Sequence, residues 1–103
     1  MVYSFLTKKR SQTLDITIFQ TPKFGEEKGY EVVYRYLVDG NKHRDVLEKV
    51  FQTFNVADRM PTDYVARYIC TGDILLIDEG KKGQFYYKLY PEGWKKINRI
   101  HVR

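Results

Sequence analysis

Few side chains in this chain of 103 residues belong to the types that catalysis or metal binding needs. The two histidines are His43 and His101, and no H-x-H or H-x-x-x-H spacing gives either a second metal ligand, so both read as solvated side chains. Cys70 with a distant histidine would have the parts of a nucleophile and its base. Its apolar neighbours and the turn that follows favour a buried, inert thiol instead. Asp73, Asp78 and Glu79 bracket an apolar run and could be read as paired carboxylates for acid–base work. Asp73, directly after Gly72, better suits closing a turn through the backbone, and Asp78-Glu79 suits a solvated loop. Gly80 and Gly83 lack the strand–loop–helix setting of a phosphate cradle. The expectation is a protein that is not an enzyme, with no cofactor and no metal site.

Nine tyrosines raise a different chemistry, because aromatic platforms interleaved with bases can stack single-stranded nucleic acid. Tyr86, Lys88 and Tyr90 share one face of a predicted strand, and Lys96 and Arg99 follow. The competing reading is that tyrosine suits sheet faces, with its ring buried and its hydroxyl wet. No helix-turn-helix pattern and no basic helix accompany these residues.

The elements that must position any such site fit one small domain. A chain of this size buries roughly 65–70% of the surface exposed when unfolded. Its 43% hydrophobic and 16% aromatic content argues against disorder, and its single cysteine excludes an intramolecular disulfide. The net charge of +5 lies at the ends: residues 1–10 carry Lys8, Lys9 and Arg10 without an acid, and residues 93–103 carry Lys95, Lys96, Arg99 and Arg103 without one. The body is nearly neutral, so the termini are either solvated ends or steering charges for phosphate or an acidic protein patch. Residues 1–12 are assigned to a basic N-terminal segment and 13–103 to the domain. The apolar stretch Met1–Leu6 precedes its basic trio, the wrong order for a secretory signal, and no run is long enough to cross a bilayer. A peripheral contact through Val2, Tyr3, Phe5 and Leu6 is too brief to anchor firmly. The expected location is the cytoplasm, with no integral membrane contact.

Alternation of Leu14, Ile16 and Ile18 predicts a strand, and residues 22–29 a loop. Tyr30, Val32, Tyr34, Tyr36 and Val38 are expected on one face of a second strand ending at Asp39-Gly40. Asp45 and Glu48 have capping-box spacing, which places a helix start near Asp45. Leu47, Val50, Phe51 and Phe54 form its apolar stripe, and Asn55 is its expected C-terminal cap. Three strands should follow: Ile74–Ile77, apolar on both faces; Gln84–Tyr90; and Trp94–Val102, bulged near Ile97. The fold class is therefore α+β, a single small domain with an antiparallel sheet of about five strands, open or barrel-like, and one main helix.

The order Tyr30-x-x-x-Tyr34, Leu47-Glu48-x-Val50-Phe51-x-x-Phe54-Asn55, Pro61-x-Asp63-Tyr64, Thr71-Gly72-Asp73-Ile74, Tyr86-Tyr87 and Gly93-Trp94 resembles the YodL-like domain family of Bacillus and bacterial mobile elements. The resemblance covers Leu14 to Arg103. It implies a cytoplasmic binding module, linked to sporulation and cell shape, that acts on the actin-like proteins MreB and Mbl. It carries over no catalytic residue. Mobile-element relatives have Ser-Leu-Ser before the aspartate, where this chain has Cys70-Thr71-Gly72, which points to a surface particular to this member.

A partner surface is expected on the irregular 60–68 segment, with Met60, Tyr64, Arg67 and Tyr68 exposed, because tyrosine and arginine dominate interface hot spots. Trp94 is a second anchor candidate, or else a core residue at the sheet end. Lys95, Lys96 and Arg99 would steer an acidic partner. Nucleic acid is the alternative partner.

Overall fold

The computed structural model describes residues 12–102, apart from the side chains of Ile100 and His101. The basic trio Lys8–Arg10, the apolar stretch before it and Arg103 lie outside the described residues. Five strands, β1 (Gln12–Gln20), β2 (Glu31–Gly40), β3 (Ile74–Asp78), β4 (Gln84–Tyr90) and β5 (Gly93–Ile97), form one antiparallel sheet in the order β2-β1-β3-β4-β5. The sheet is open, not a closed barrel. Helix α1 (His43–Thr53) packs across one face, so the α+β class expected from the sequence holds.

Alternation sorts the side chains onto two faces. Leu14, Ile16, Ile18, Leu75, Ile77 and Leu89 point to the helix and pack with its Val46, Leu47, Val50 and Phe54. Fully buried, an aliphatic or aromatic side chain of this kind contributes about 1.5–3 kcal/mol. Phe54 is the hub of an aromatic cluster, its ring centroid 4.6 Å from Tyr64, 5.4 Å from Tyr36 and 5.6 Å from Tyr34. The opposite face carries a smaller cluster, Ile74, Leu76 and Tyr86, against which Phe19, Tyr30, Ile97 and Val102 pack.

Four local expectations are corrected. Tyr30 and Val32 do not share a face with Tyr34, Tyr36 and Val38, because the β1–β2 register shifts between Ile18 and Phe19 and leaves Val33 as the extra residue. The helix starts at His43, two residues early, with Lys42 as N-cap and no side-chain cap hydrogen bond. The Asp45–Glu48 box therefore does not cap the helix, and the ring of His43 at its first turn is bonded to Tyr87 and Glu79. Phe54, not Asn55, is the C-cap, and no residue other than glycine has positive φ among those described. The last strand stops at Ile97 and gives way to a 3-10 turn, Arg99–Val102. No bulge is needed there, since Trp94 serves the helix-side core and Ile97 the other cluster.

Gly40 sits where the end of β2 meets the helix, and a Cβ there would lie 2.5 Å from Cγ2 of Val46. Gly40→Ala should lower unfolding stability in urea by about 1–3 kcal/mol through overpacking. Val46→Ala should cost less in the Gly40→Ala background than in the parent, because it vacates the space the new methyl needs. Additive losses would mean that the clash is relieved elsewhere.

Candidate functional site

Segments 21–30 and 60–73 hold no strand or α-helix and meet at one end of the sheet, where a buried carboxylate ties them together. Asp73 is 1% exposed. It accepts hydrogen bonds from the Cys70 amide at 2.9 Å, from Gln20 Nε2 at 2.9 Å and from Arg67 Nη2 at 3.2 Å. The Arg67 guanidinium also donates to the Thr21 carbonyl at 2.7 Å, and the Arg67 carbonyl accepts from the Tyr64 hydroxyl at 2.6 Å and from Gln20 at 3.1 Å. Gly72, at φ +100°, makes the turn, and its carbonyl accepts from the Tyr30 hydroxyl at 2.5 Å. Asp73 thus closes its turn through the Cys70 amide, as its position after glycine predicted, and also joins the 60–73 segment to the end of β1 through Gln20.

Burial pushes the Asp73 carboxyl above the ordinary 3.8, opposed by its bonds from Cys70 and Gln20 and by the Arg67 charge. Burial likewise raises the Cys70 thiol, which disfavours the thiolate that nucleophilic chemistry needs. The Tyr64 hydroxyl is pushed up to about 12, again mainly by burial.

This arrangement revises the expected partner surface on the 60–68 segment. Tyr64 is 8% exposed and belongs to the core, because its ring completes the Phe54 cluster. Met60 is half-buried against the same core, and Arg67 is held inward by Asp73 and Thr21. Tyr68 alone of the four projects, at 52% exposure, joined by Val65 at 94% and, from the other loop, Phe24 at 66%. Phe24 borders a cleft with Ala66 and Arg67, which places it at the same end. Val65 and Phe24 were not singled out from sequence, since a lone apolar residue in a loop carries no periodic signal. Gln20 was readable: it takes the inward position after Leu14, Ile16 and Ile18, where a polar side chain must find a buried partner.

A second polar cluster lies at the start of the helix. His43 is half-buried, with Nδ1 2.7 Å from the Tyr87 hydroxyl, Nε2 bonded to Glu79, and its ring 4.9 Å from that of Phe85. Neither His43 nor Glu79 is a solvated side chain, which corrects the sequence reading of both. Beyond this cluster a cleft of about 440 Å³ is lined by Arg44, Glu48, Tyr87, Glu92 and Trp94. Trp94 is half-buried and packs on the core, in accord with the second of its two sequence readings.

The basic candidates sit around the β5 edge. Lys95 and Lys96 are exposed on opposite faces of the strand, and Arg99 is exposed in the turn after it, not in a strand. Lys95 Nζ lies 5.2 Å from the Tyr90 ring centre and 3.6 Å from Glu92, and Lys96 Nζ lies 5.0 Å from the Phe85 ring centre. Tyr86, Lys88 and Tyr90 share a face as expected, but Tyr86 is only 8% exposed and so offers little surface to stack a base. No group of three or more metal-ligating side chains occurs among the described residues. None of the described helices is long and apolar enough to cross a membrane.

A family described as the YodL-like domain matches residues 8–99. The chain is 57% identical over 96 residues to a Bacillus subtilis protein titled "Uncharacterized protein YodL", spanning 93% of this chain and 92% of that one. No solved structure matches.

Asp73 supplies a test of this end of the molecule. Asp73→Ala strands the Arg67 charge and two further donors, and should cost about 3–5 kcal/mol. Asp73→Asn should cost less and isolate the pH dependence. A carboxyl raised by folding contributes stability that is complete below its unfolded value of 3.8 and is lost as pH rises through the higher folded value. The stability difference between parent and Asp73→Asn should therefore be largest at low pH and shrink as pH rises through that window. Denaturant titrations at several pH values check this, and a difference that grows with pH would reverse the assigned direction.

Proposed function

We propose, from the premise that this chain belongs to the YodL-like domain family, that it is a non-enzymatic protein-interaction module of the cytoplasm. Its partner is an actin-like cytoskeletal protein of the MreB or Mbl type, through which it acts on cell shape in connection with sporulation. The observation that supports an interaction module is the loop end: Tyr68, Phe24 and Val65 stand exposed on segments tied to the Asp73–Arg67 hub. Large side chains held on a pre-ordered frame bind with a small ordering cost. The choice of partner rests on the family resemblance.

Lys95, Lys96 and Arg99 act in this reading as steering charges, since exposed charges away from the contact centre change association rate more than final affinity. The nucleic-acid alternative relies on the overall charge and on Tyr90, the half-exposed member of the strand aromatics.

Titration of the purified protein against purified MreB tests the proposal, with duplex and single-stranded DNA in parallel. Saturable MreB binding is expected, and Tyr68→Ala should weaken it at least tenfold, about 1.4 kcal/mol or more. Tyr68 is exposed, so its replacement leaves the fold intact. Reversing Lys95, Lys96 and Arg99 together should slow association and flatten its salt dependence. Absence of MreB binding, with tight and steeply salt-dependent DNA binding instead, would overturn the proposal in favour of nucleic acid.

A further inference from the structure

The two edges of the sheet are built differently. β5 is five residues long, carries Lys95 and Lys96, and is cut short by the 3-10 turn that follows. Short length and lysine are the usual means of keeping an edge strand from pairing with another chain. β2 has neither. It runs for ten residues, EVVYRYLVDG, without lysine or proline. Its only strand partner among the described residues is β1. On the sheet face away from the helix it exposes Leu37 at 66% and Val32 at 59%.

The charges on that face are few and arranged. Arg35 binds Asp15 through Nε at 2.9 Å and Nη2 at 2.5 Å, and no bond to its Nη1 occurs among the described residues. The carboxylate of Asp39, also exposed, accepts only from Thr13 Oγ1 at 3.1 Å among the described residues, while Lys49 Nζ donates to its backbone carbonyl at 3.4 Å. Arg35, Leu37 and Asp39 alternate along one face with the apolar residue in the middle.

We propose that β2 pairs with β2 of a second copy of this chain, antiparallel, about a two-fold axis at Leu37. The two five-stranded sheets then become one continuous sheet. In this register Leu37 meets Leu37 of the second copy, and each Arg35 lies opposite Asp39 of the other, with Nη1 free to bind it. On the helix side Tyr36 lies opposite Val38. Cross-strand pairs of this kind add to the stability that the backbone bonds give.

Other registers fare worse on the same residues. An axis at Arg35 sets Arg35 against itself and Glu31 against Asp39, both like-charge pairs. An axis at Tyr36 sets Arg35 against Leu37. An axis at Val33 runs through the bulge, where β2 departs from regular pairing. Residues 34–40 form the regular half of the strand, and the axis at Leu37 uses that half. β5 is the opposite edge of the sheet, so its lysines stay uncovered in the dimer.

Sedimentation equilibrium of the full chain over a concentration series tests the pairing. The mass should rise from 12.3 kDa toward twice that value. Leu37→Lys sets two ammonium groups together on the axis and should hold the protein at monomer mass, while its exposed position leaves the fold intact. In a Cys70→Ser background, Leu37→Cys should give a disulfide-linked dimer on mild oxidation, and Val65→Cys, more exposed still but outside β2, should not. A chain that stays monomeric throughout the series would overturn the proposal and leave the edge to a strand from a different protein. A dimer indifferent to Leu37→Lys, or one that cross-links no better through position 37 than through position 65, would also overturn it.

Discussion

A central strand with no polar face governs this fold. Ile74, Leu75 and Ile77 are completely buried and Leu76 nearly so, and β3 has two strands on one side of it and two on the other. Such a strand must be covered above and below, yet the described residues supply a single α-helix. Helix α1 covers one side through Leu47, Val50 and Phe54. The other side is closed by side chains of neighbouring strands and by the end of the chain: Phe19, Tyr30, Tyr86, Ile97 and Val102. This accounts for the early end of β5. β5 ends opposite Tyr86, two residues short of the start of β4, and the 3-10 turn that follows lets Val102 reach the second cluster. The bulge opposite Ile18 and Phe19 does similar work for β2, moving Tyr30 onto the face that lacks a helix.

The same strand explains the buried carboxylate. A segment that enters a two-sided core directly from a loop leaves backbone amides at the point of entry with no strand to pair with. Asp73, the residue before β3, takes the Cys70 amide, and the turn's own backbone is joined to β4 by Gly72 N to the Leu89 carbonyl at 2.7 Å and Leu89 N to the Asp73 carbonyl at 2.9 Å. Once buried, the carboxylate needs further donors, and Gln20 and Arg67 are drawn in. The loop end is thus ordered as a consequence of starting β3, which is how a region without regular secondary structure comes to hold side chains in fixed places.

Strand positions, the helix and its apolar stripe were legible because each carries a pattern: alternation in β1 and β4, an unbroken apolar run in β3, and i, i+3, i+4, i+7 in α1. Several departures involve contacts between distant residues. His43 lies outside the capping-box pattern, yet it opens the helix with its ring held by Tyr87 and Glu79, far along the chain. Tyr64 and Arg67 have the composition of a binding loop, but Phe54 and Asp73 claim them for the interior. Hot-spot residue types indicate the ability to bind, and burial decides whether the binding is internal or external. Tyr68, next to Arg67, stays outside because Arg67 is pulled inward.

The distribution of charge follows from the same geometry. At the β5 edge the ammonium groups lie close to aromatic rings, Lys95 to Tyr90 and Lys96 to Phe85, so charge is concentrated where pairing is unwelcome. Along β2 the one guanidinium is engaged by Asp15, which otherwise faces Asp78 directly across β3, a like-charge pair that Arg35 offsets. Arg35 is thus required within its own chain, and that duty alone would hold it on the exposed face. Its remaining donors and the acidic Asp39 two positions beyond Leu37 then make the edge selective without any further residue. A lysine at position 35 would lack the planar fork that can bind Asp15 through two nitrogens and still present a third to an opposing strand. One residue type therefore serves both the stability of the sheet and the choice of what may be added to it.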